Sequence, residues 1–209
     1  MESCVIFCAG GFNGLIEPVS DGDFLIAADG GLVHMQKAGL TPNMILGDFD
    51  SLGYIPREAQ VFPVEKDDTD AMLAVRKGLE LGCKRFLLYG SLDGSRLDHT
   101  VANFQTLQFL ADRGAEGYLV GCDYIATVVK NGTLEFPETC QGILSVFCMG
   151  KDAEGVTIKG AKYELENGSL SAGFPLGVSN HFVGKKATIS VIKGSLLVLY
   201  HKKNGLPVV

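Results

Sequence analysis

Thirteen aspartates occur in the chain, and eight of them fall between residues 29 and 98: Asp29, Asp48, Asp50, Asp67, Asp68, Asp70, Asp93 and Asp98. Asp29, Asp48 and Asp50 come directly after short apolar runs, while Asp67, Asp68 and Asp70 open a helical one. Carboxylates gathered in one crevice repel each other and must be protonated, paired or bridged by a cation. Oxygen ligands with no histidine or cysteine cluster nearby favour Mg2+, which keeps its waters and shares itself with phosphates. Each aspartate taken singly also suits an ordinary turn or helix cap. That reading weakens for D-F-D, D-D-x-D and D-G-G taken together at one edge.

A second group suits an anion. Gly90-Ser91-Leu92-Asp93-Gly94-Ser95-Arg96 leaves an apolar run and ends in an arginine just before a helix start. Backbone N–H groups of such a loop can approach a phosphate closely, and Arg96 can pair with it. A glycine-rich turn with a solvated arginine is the plainer alternative. The Gly10-Gly11-Phe12-Asn13-Gly14 segment lacks the full dinucleotide spacing, and no G-x-x-x-x-G-K-[ST] occurs, so a P-loop is excluded. His99 follows Asp98 at a helix start, where a neutral, hydrogen-bonding ring suits at least as well as a base. His34, His181 and His201 are expected at the surface.

The elements that must position these residues follow from the apolar pattern. Val5–Cys8, Phe24–Ala28, Met44–Leu46 and Phe86–Tyr89 are unbroken apolar runs ending in glycine or aspartate. Such runs suit strands of a parallel sheet buried on both faces. Between them, Met72, Val75 and Leu79 predict a helix over 68–81, and Val101, Phe104, Leu107 and Ala111 predict one over 98–113, with Asp68 and Asp98 as N-caps. This is βαβ grammar, and ligands of an open sheet bind beyond the carboxyl ends of its strands, where the aspartates lie. Past residue 130 the grammar changes to short Val-, Ile-, Thr- and Leu-rich strands with glycine turns. Lys193-Gly194 is expected to join 187–192 and 195–200 as a hairpin. The predicted organisation is an α/β domain over 1–130, with a Rossmann-like, open, mostly parallel sheet and flanking helices. A small all-β sandwich follows over 131–209.

Charge divides the same way. Residues 1–130 hold 18 acids and 10 bases, residues 131–209 hold 6 acids and 8 bases, and the chain as a whole is at −6. No basic run suits a nucleic-acid phosphate track, so nucleic acid is excluded as a partner. Met1-Glu2-Ser3 carries an acid where a signal peptide wants a base, and no apolar run approaches a membrane span. The six cysteines include no C-x-x-C pair. A reducing cytoplasm, no membrane association and no disulfides are expected.

Five stretches in register resemble the thiamine pyrophosphokinase (thiamine diphosphokinase) family. They are Ala28-Asp29-Gly30-Gly31, Gly47-Asp48-Phe49-Asp50-Ser51, Lys66-Asp67-Asp68-Thr69-Asp70, Gly90 through Asn103, and, further on, Gly160–Leu165 with Val178-Ser179-Asn180. The resemblance implies transfer of a pyrophosphoryl group from ATP to the thiamine hydroxyl, giving thiamine diphosphate and AMP. It implies that Asp29, Asp48, Asp50 and Asp70 hold Mg2+ and the triphosphate, and that Asp48, Asp50, Asp70, Arg96 and Asp98 carry the chemistry. Asp29, Gly30, Lys66, Thr69, Gly90, Ser91, Arg96, His99 and Asn103 fall on the ATP side. Tyr163, Ser179 and Asn180 fall on the thiamine side, contributed by the partner of a homodimer whose active sites lie at the subunit interface. Many members place a tryptophan where this chain has Tyr163, and the chain has none at all. Tryptophan is the better cation–π face by up to about 1 kcal/mol, so weaker thiamine binding or a relaxed choice of substrate is expected. A related pyrophosphokinase acting on another alcohol such as a hydroxymethylpterin, a binding module without turnover, and a D-x-D phosphatase are the competing readings.

Overall fold

The computed structural model describes residues 3–50, 52–63, 65 and 67–209. It is a mixed α/β protein of two compact units, Met1–Cys122 and Asp123–Val209. Among the described residues no helix is long and apolar enough to cross a membrane.

In the first unit, six strands form a parallel sheet: β1 (Cys4–Phe7), β2 (Phe24–Ala28), β3 (Met44–Gly47), β4 (Gln60–Val61), β5 (Arg85–Tyr89) and β6 (Glu116–Val120). Their order is β4-β3-β2-β1-β5-β6. The direction of winding therefore reverses between β1 and β5, the place beyond whose carboxyl ends open sheets of this kind bind ligands. All of β1 is buried, as are the last four residues of β2, β5 and β6, which is why these strands read as unbroken apolar runs.

Helices α1 (Gly31–Lys37), α2 (Asp70–Glu80) and α3 (Leu97–Ala111) flank this sheet. The short α1 has no apolar stripe that announces it in the sequence. The buried faces of the other two are rotated from the expected stripes. Helix α2 buries Ala71, Ala74 and Gly78 beside the expected Val75, while Met72 and Leu79 are only half-buried. Small residues let the helix come close: a Cβ at Gly78 would stand 2.5 Å from the Phe86 ring and 2.7 Å from Cys4 Sγ. Helix α3 buries Asn103, Thr106, Leu107 and Leu110, leaving Val101 exposed. Neither predicted cap holds. Thr69 caps α2, its hydroxyl accepting from Met72 N at 3.2 Å, while Asp98 lies inside the first turn of α3. Asp68 is drawn away from the helix start by Arg76, whose Nε lies 3.0 Å from its Oδ2.

The second unit consists of strands β7 (Tyr124–Lys130), β8 (Thr133–Phe136), β9 (Ile143–Lys159), β10 (Leu165–Leu170), β11 (Gly177–His181), β12 (Ala187–Ser190) and β13 (Lys193–His201), with one short 3-10 turn at Lys202–Asn204. The division falls after Cys122 rather than after residue 130, because β7 pairs with β13 along its whole length. The expected hairpin at Lys193-Gly194 is absent. β12 and β13 both run antiparallel to β9, so they share one direction and cannot fold back on each other. Gly194, at φ +116°, sits at a shift in the register, where the chain passes from one stretch of β9 to the next. Phe136 is the centre of this unit's core, with ring centroids 5.2 Å from Phe182 and 4.9 Å from Tyr200.

Candidate active site

The turn after β3 is built to present two acids. Phe49 is buried and left-handed at φ 60°, so it anchors the turn while Asp48 and Asp50 on either side remain accessible. Asp50 N donates to Asp48 Oδ1 at 3.4 Å. The ends of β2 and β3 also approach closely. Gly47 has φ +149°, and a Cβ there would be 3.1 Å from the backbone of Asp29, itself at φ 47°. A left-handed residue costs of order 1–3 kcal/mol, and here the strain lies at the residues that converge. One carboxylate oxygen from each of Asp29, Asp48 and Asp50 lies within 4.8 Å of the others. Three acids this close offer an all-oxygen set that suits a hard divalent ion such as Mg2+.

These acids line a cleft of about 550 Å³ at the carboxyl edge of the sheet, walled also by the β1 and β5 loops and the starts of α2 and α3. Of the expected ATP-side and catalytic residues, Asp29, Asp48, Asp50, Thr69, Asp70, Gly90, Ser91, Arg96, His99 and Asn103 all line it. Asp70 shares the cleft but stands outside the three-carboxylate cluster. Burial, helped by the Asp70 charge, pushes the Cys8 thiol up to about 12, so Cys8 stays protonated in the wall. Gly30 is the N-cap of α1 and does not line the cleft. Lys66 lies outside the described residues.

The β5 loop is fixed from below. Ser91 Oγ donates to Leu88 O at 2.6 Å, Asn103 Nδ2 donates to Ser91 O at 2.8 Å, and Gly10 N donates to Gly90 O at 3.0 Å. Asn103 is buried, so it shapes the loop rather than reaching out of it. Asp93 is the aspartate for which the plain turn role holds: its carboxylate accepts from Cys122 N and packs against Gly121, locking the loop to the end of β6.

Arg96 is the one basic side chain among the described lining residues that carries a fixed charge. It pairs with Asp98 through Nε–Oδ1 at 3.0 Å and Nη2–Oδ2 at 2.7 Å, and both side chains are exposed. The guanidinium holds the Asp98 carboxyl down at about 2, so this acid is ionised at any ordinary working pH and is no reservoir for a proton. Asp98 itself is not among the lining residues.

Sequence reasoning missed several members of the site. Cys8, Ala9, Gly10 and Thr100 line the cleft because of where the strand order reverses, which no local pattern reveals. His34 is not a surface residue. It is part-buried, with Nε2 2.7 Å from Gly10 O and the ring 5.5 Å from Phe12, so it braces the β1 loop. His201 stacks on Tyr124 at 4.8 Å.

In the second unit, Tyr163 is 61% exposed. Asn180, by contrast, is buried, and its amide serves the backbone: Oδ1 accepts from Tyr163 N at 2.9 Å and His181 N at 2.8 Å, and Nδ2 donates to Tyr163 O at 2.7 Å. Ser179 is exposed and left-handed at φ 59°, with its N–H on Ser145 Oγ at 3.1 Å.

Two family models match the chain. The one described as "Thiamin pyrophosphokinase, catalytic domain" covers residues 17–119, and "Thiamin pyrophosphokinase, vitamin B1 binding domain" covers residues 132–196. The thiamine pyrophosphokinase of Bacillus subtilis (strain 168) is 27% identical over 183 residues, 83% of this chain and 85% of the relative. Among solved structures, thiamine pyrophosphokinase from Bacillus subtilis superposes with a TM-score of 0.81 at 26% identity, covering 96% of this chain and 99% of the other. Thiamin pyrophosphokinase from Geobacillus thermodenitrificans gives 0.76 at 26% identity, covering 96% and 97%.

Proposed function

The chain belongs to the thiamin pyrophosphokinase family, and from that premise we propose that it is a thiamine diphosphokinase, transferring the pyrophosphoryl group of ATP to the hydroxyl of thiamine and releasing AMP. The observation that carries the chemistry is the convergence of Asp29, Asp48 and Asp50 in one cleft of the matched catalytic region. A D-x-D phosphatase would place its nucleophile after the first strand, whereas β1 is followed by Cys8-Ala9-Gly10 and D-F-D follows β3. A match to a vitamin B1 binding region decides against a pterin alcohol.

Asp29, Asp48 and Asp50, with Asp70 at the same cleft, are the residues that would hold Mg2+, which when bound neutralises charge on the phosphates. The chain's own contribution is position and charge. The loop from Gly90 to Arg96 walls the place where the phosphates would lie, and Thr69 and Asp70 place the start of α2 beside it. Arg96 offsets charge that develops on the phosphoryl oxygens as the thiamine hydroxyl attacks the β-phosphorus in line. Asp98 acts through Arg96 by holding the guanidinium at the cleft rim. With Asp98 ionised and turned to Arg96, the hydroxyl proton has no dedicated acceptor there.

We read the first unit as a Rossmann-like open sheet that binds ATP, and the second as a β-sandwich that binds thiamine and dimerises. Tyr163 supplies an aromatic face and Ser179 a polar neighbour, while Asn180 holds the Tyr163 backbone. Phe174, Leu176 and Val178 are 65%, 57% and 46% exposed, an apolar strip that a partner would cover. We place the protein in a reducing cytoplasm as a homodimer with its sites at the subunit interface.

The test is an assay of purified protein with Mg-ATP and thiamine. Equal amounts of AMP and thiamine diphosphate are expected. Release of ADP, or no thiamine-dependent turnover of ATP, rules the proposal out.

A further inference from the structure

Lys162 and Tyr163 are consecutive residues in the bend between β9 and β10, yet their side chains meet: Lys162 Nζ lies 5.2 Å from the centroid of the Tyr163 ring. That is within the range at which an ammonium is attracted by an aromatic face. The pair stands on a fixed root. Lys162 N donates to His181 O at 2.9 Å, Ala161 bridges Phe182, and the buried Asn180 amide holds both the N–H and the C=O of Tyr163. The backbone is tied down while both side chains remain exposed. One aromatic face of this ring therefore already carries a cation supplied by the chain itself.

We infer that Lys162 sets the charge selectivity of the Tyr163 platform, weakening its preference for a cationic heterocycle and admitting neutral flat heteroaromatic alcohols. This rests on the reading that thiamine stacks on Tyr163. A thiazolium arriving at the ring either displaces the ammonium from its face or takes the opposite face and feels a like charge across the ring. Displacement costs any ring that takes the occupied face, but on the opposite face only a charged ring meets the like charge, so an uncharged ring of the same shape binds there without that penalty. Lys162 thus acts on specificity and not on the phosphoryl chemistry.

The experiment compares thiamine with an isostere in which carbon replaces the charged ring nitrogen, using wild type, Lys162→Met, Lys162→Arg and Tyr163→Ala. The readout is the inhibition constant of the isostere divided by the KM for thiamine. In Lys162→Met this ratio rises about two- to fivefold, the range of an exposed cation–π contact, through a lower thiamine KM with the ATP KM unchanged. Lys162→Arg keeps the wild-type ratio. An unchanged ratio in Lys162→Met, while Tyr163→Ala raises the thiamine KM, overturns the inference and leaves the stacking reading intact. An unchanged thiamine KM in Tyr163→Ala overturns the stacking reading and the inference with it. Lys162 is exposed, so neither substitution threatens the fold.

Discussion

Asp48, Asp50 and Asp93 show how one residue type at one sheet edge takes different work. Asp93 spends a carboxylate oxygen on Cys122 N, a turn role that needs an acceptor and not a charge. Asp48 and Asp50 instead flank the buried Phe49 and converge with Asp29, at the point where a cation is proposed to bind. The two roles predict opposite responses to the same substitution. Asp48→Asn or Asp50→Asn should lower turnover by about 100-fold, the scale on which perturbing a metal site acts, and raise the Mg2+ concentration needed for half-maximal rate. Without Mg2+ each variant should melt no lower than wild type, because a repulsive charge has gone. Near-normal turnover in both, or a clear loss of thermal stability without metal, would make them turn residues like Asp93.

The elements matter through how closely they approach. At the reversal of strand order, the β1 and β5 loops run against each other with no room for a side chain between them. Gly90 has φ +67°, and a Cβ there would stand 2.6 Å from Cys8 O and 3.0 Å from Gly10 O. Gly90→Ala should therefore destabilise by more than about 1 kcal/mol in urea unfolding. Gly94 lies on the same loop, but a Cβ there would meet only Gly10 Cα at 3.8 Å. Gly94→Ala should leave the unfolding midpoint unchanged. Equal effects of the two substitutions would show that close packing at the strand ends does not hold this loop.

For the molecule as a whole, the charge division follows the structural one. The unit ending at Cys122 holds 17 acids and 9 bases, a net of −8, and the remainder holds 7 acids and 9 bases, a net of +2. The acidic excess sits where a cation and a triphosphate are proposed to bind. The second unit carries no such excess, and its proposed ligand would be held by the Tyr163 face and hydrogen bonds rather than by charge. Its exposed Phe174, Leu176 and Val178 predict self-association. Sedimentation should give a species of twice the 22.3 kDa chain mass at micromolar concentration, and Val178→Asp should shift it toward the single chain. A single-chain mass for the wild type at every concentration would remove the homodimer.

The sequence by itself determined the buried parallel strands, because a strand covered on both faces must be apolar at every position, and β1, β2 and β5 are. It also determined which acids could gather, since a residue just past the end of a parallel strand has few other places to point. The second unit was legible as strands but not as pairings. Ile143–Phe147 reads as one short strand, yet β9 runs to Lys159 and serves four partners, and the Lys193-Gly194 shift on β13 looks locally like a turn. The buried face of α2 departs from its apolar stripe because Ala71, Ala74 and Gly78 meet the sheet through small size and not through apolar bulk. Only the tertiary structure decided that Asp29, Asp48 and Asp50 share one point, that Asp93 and Asn103 build the loop beside them, and that Lys162 covers Tyr163. Each of these depends on distances between segments far apart in sequence, or on a local bend, and residue spacing carries no measure of either.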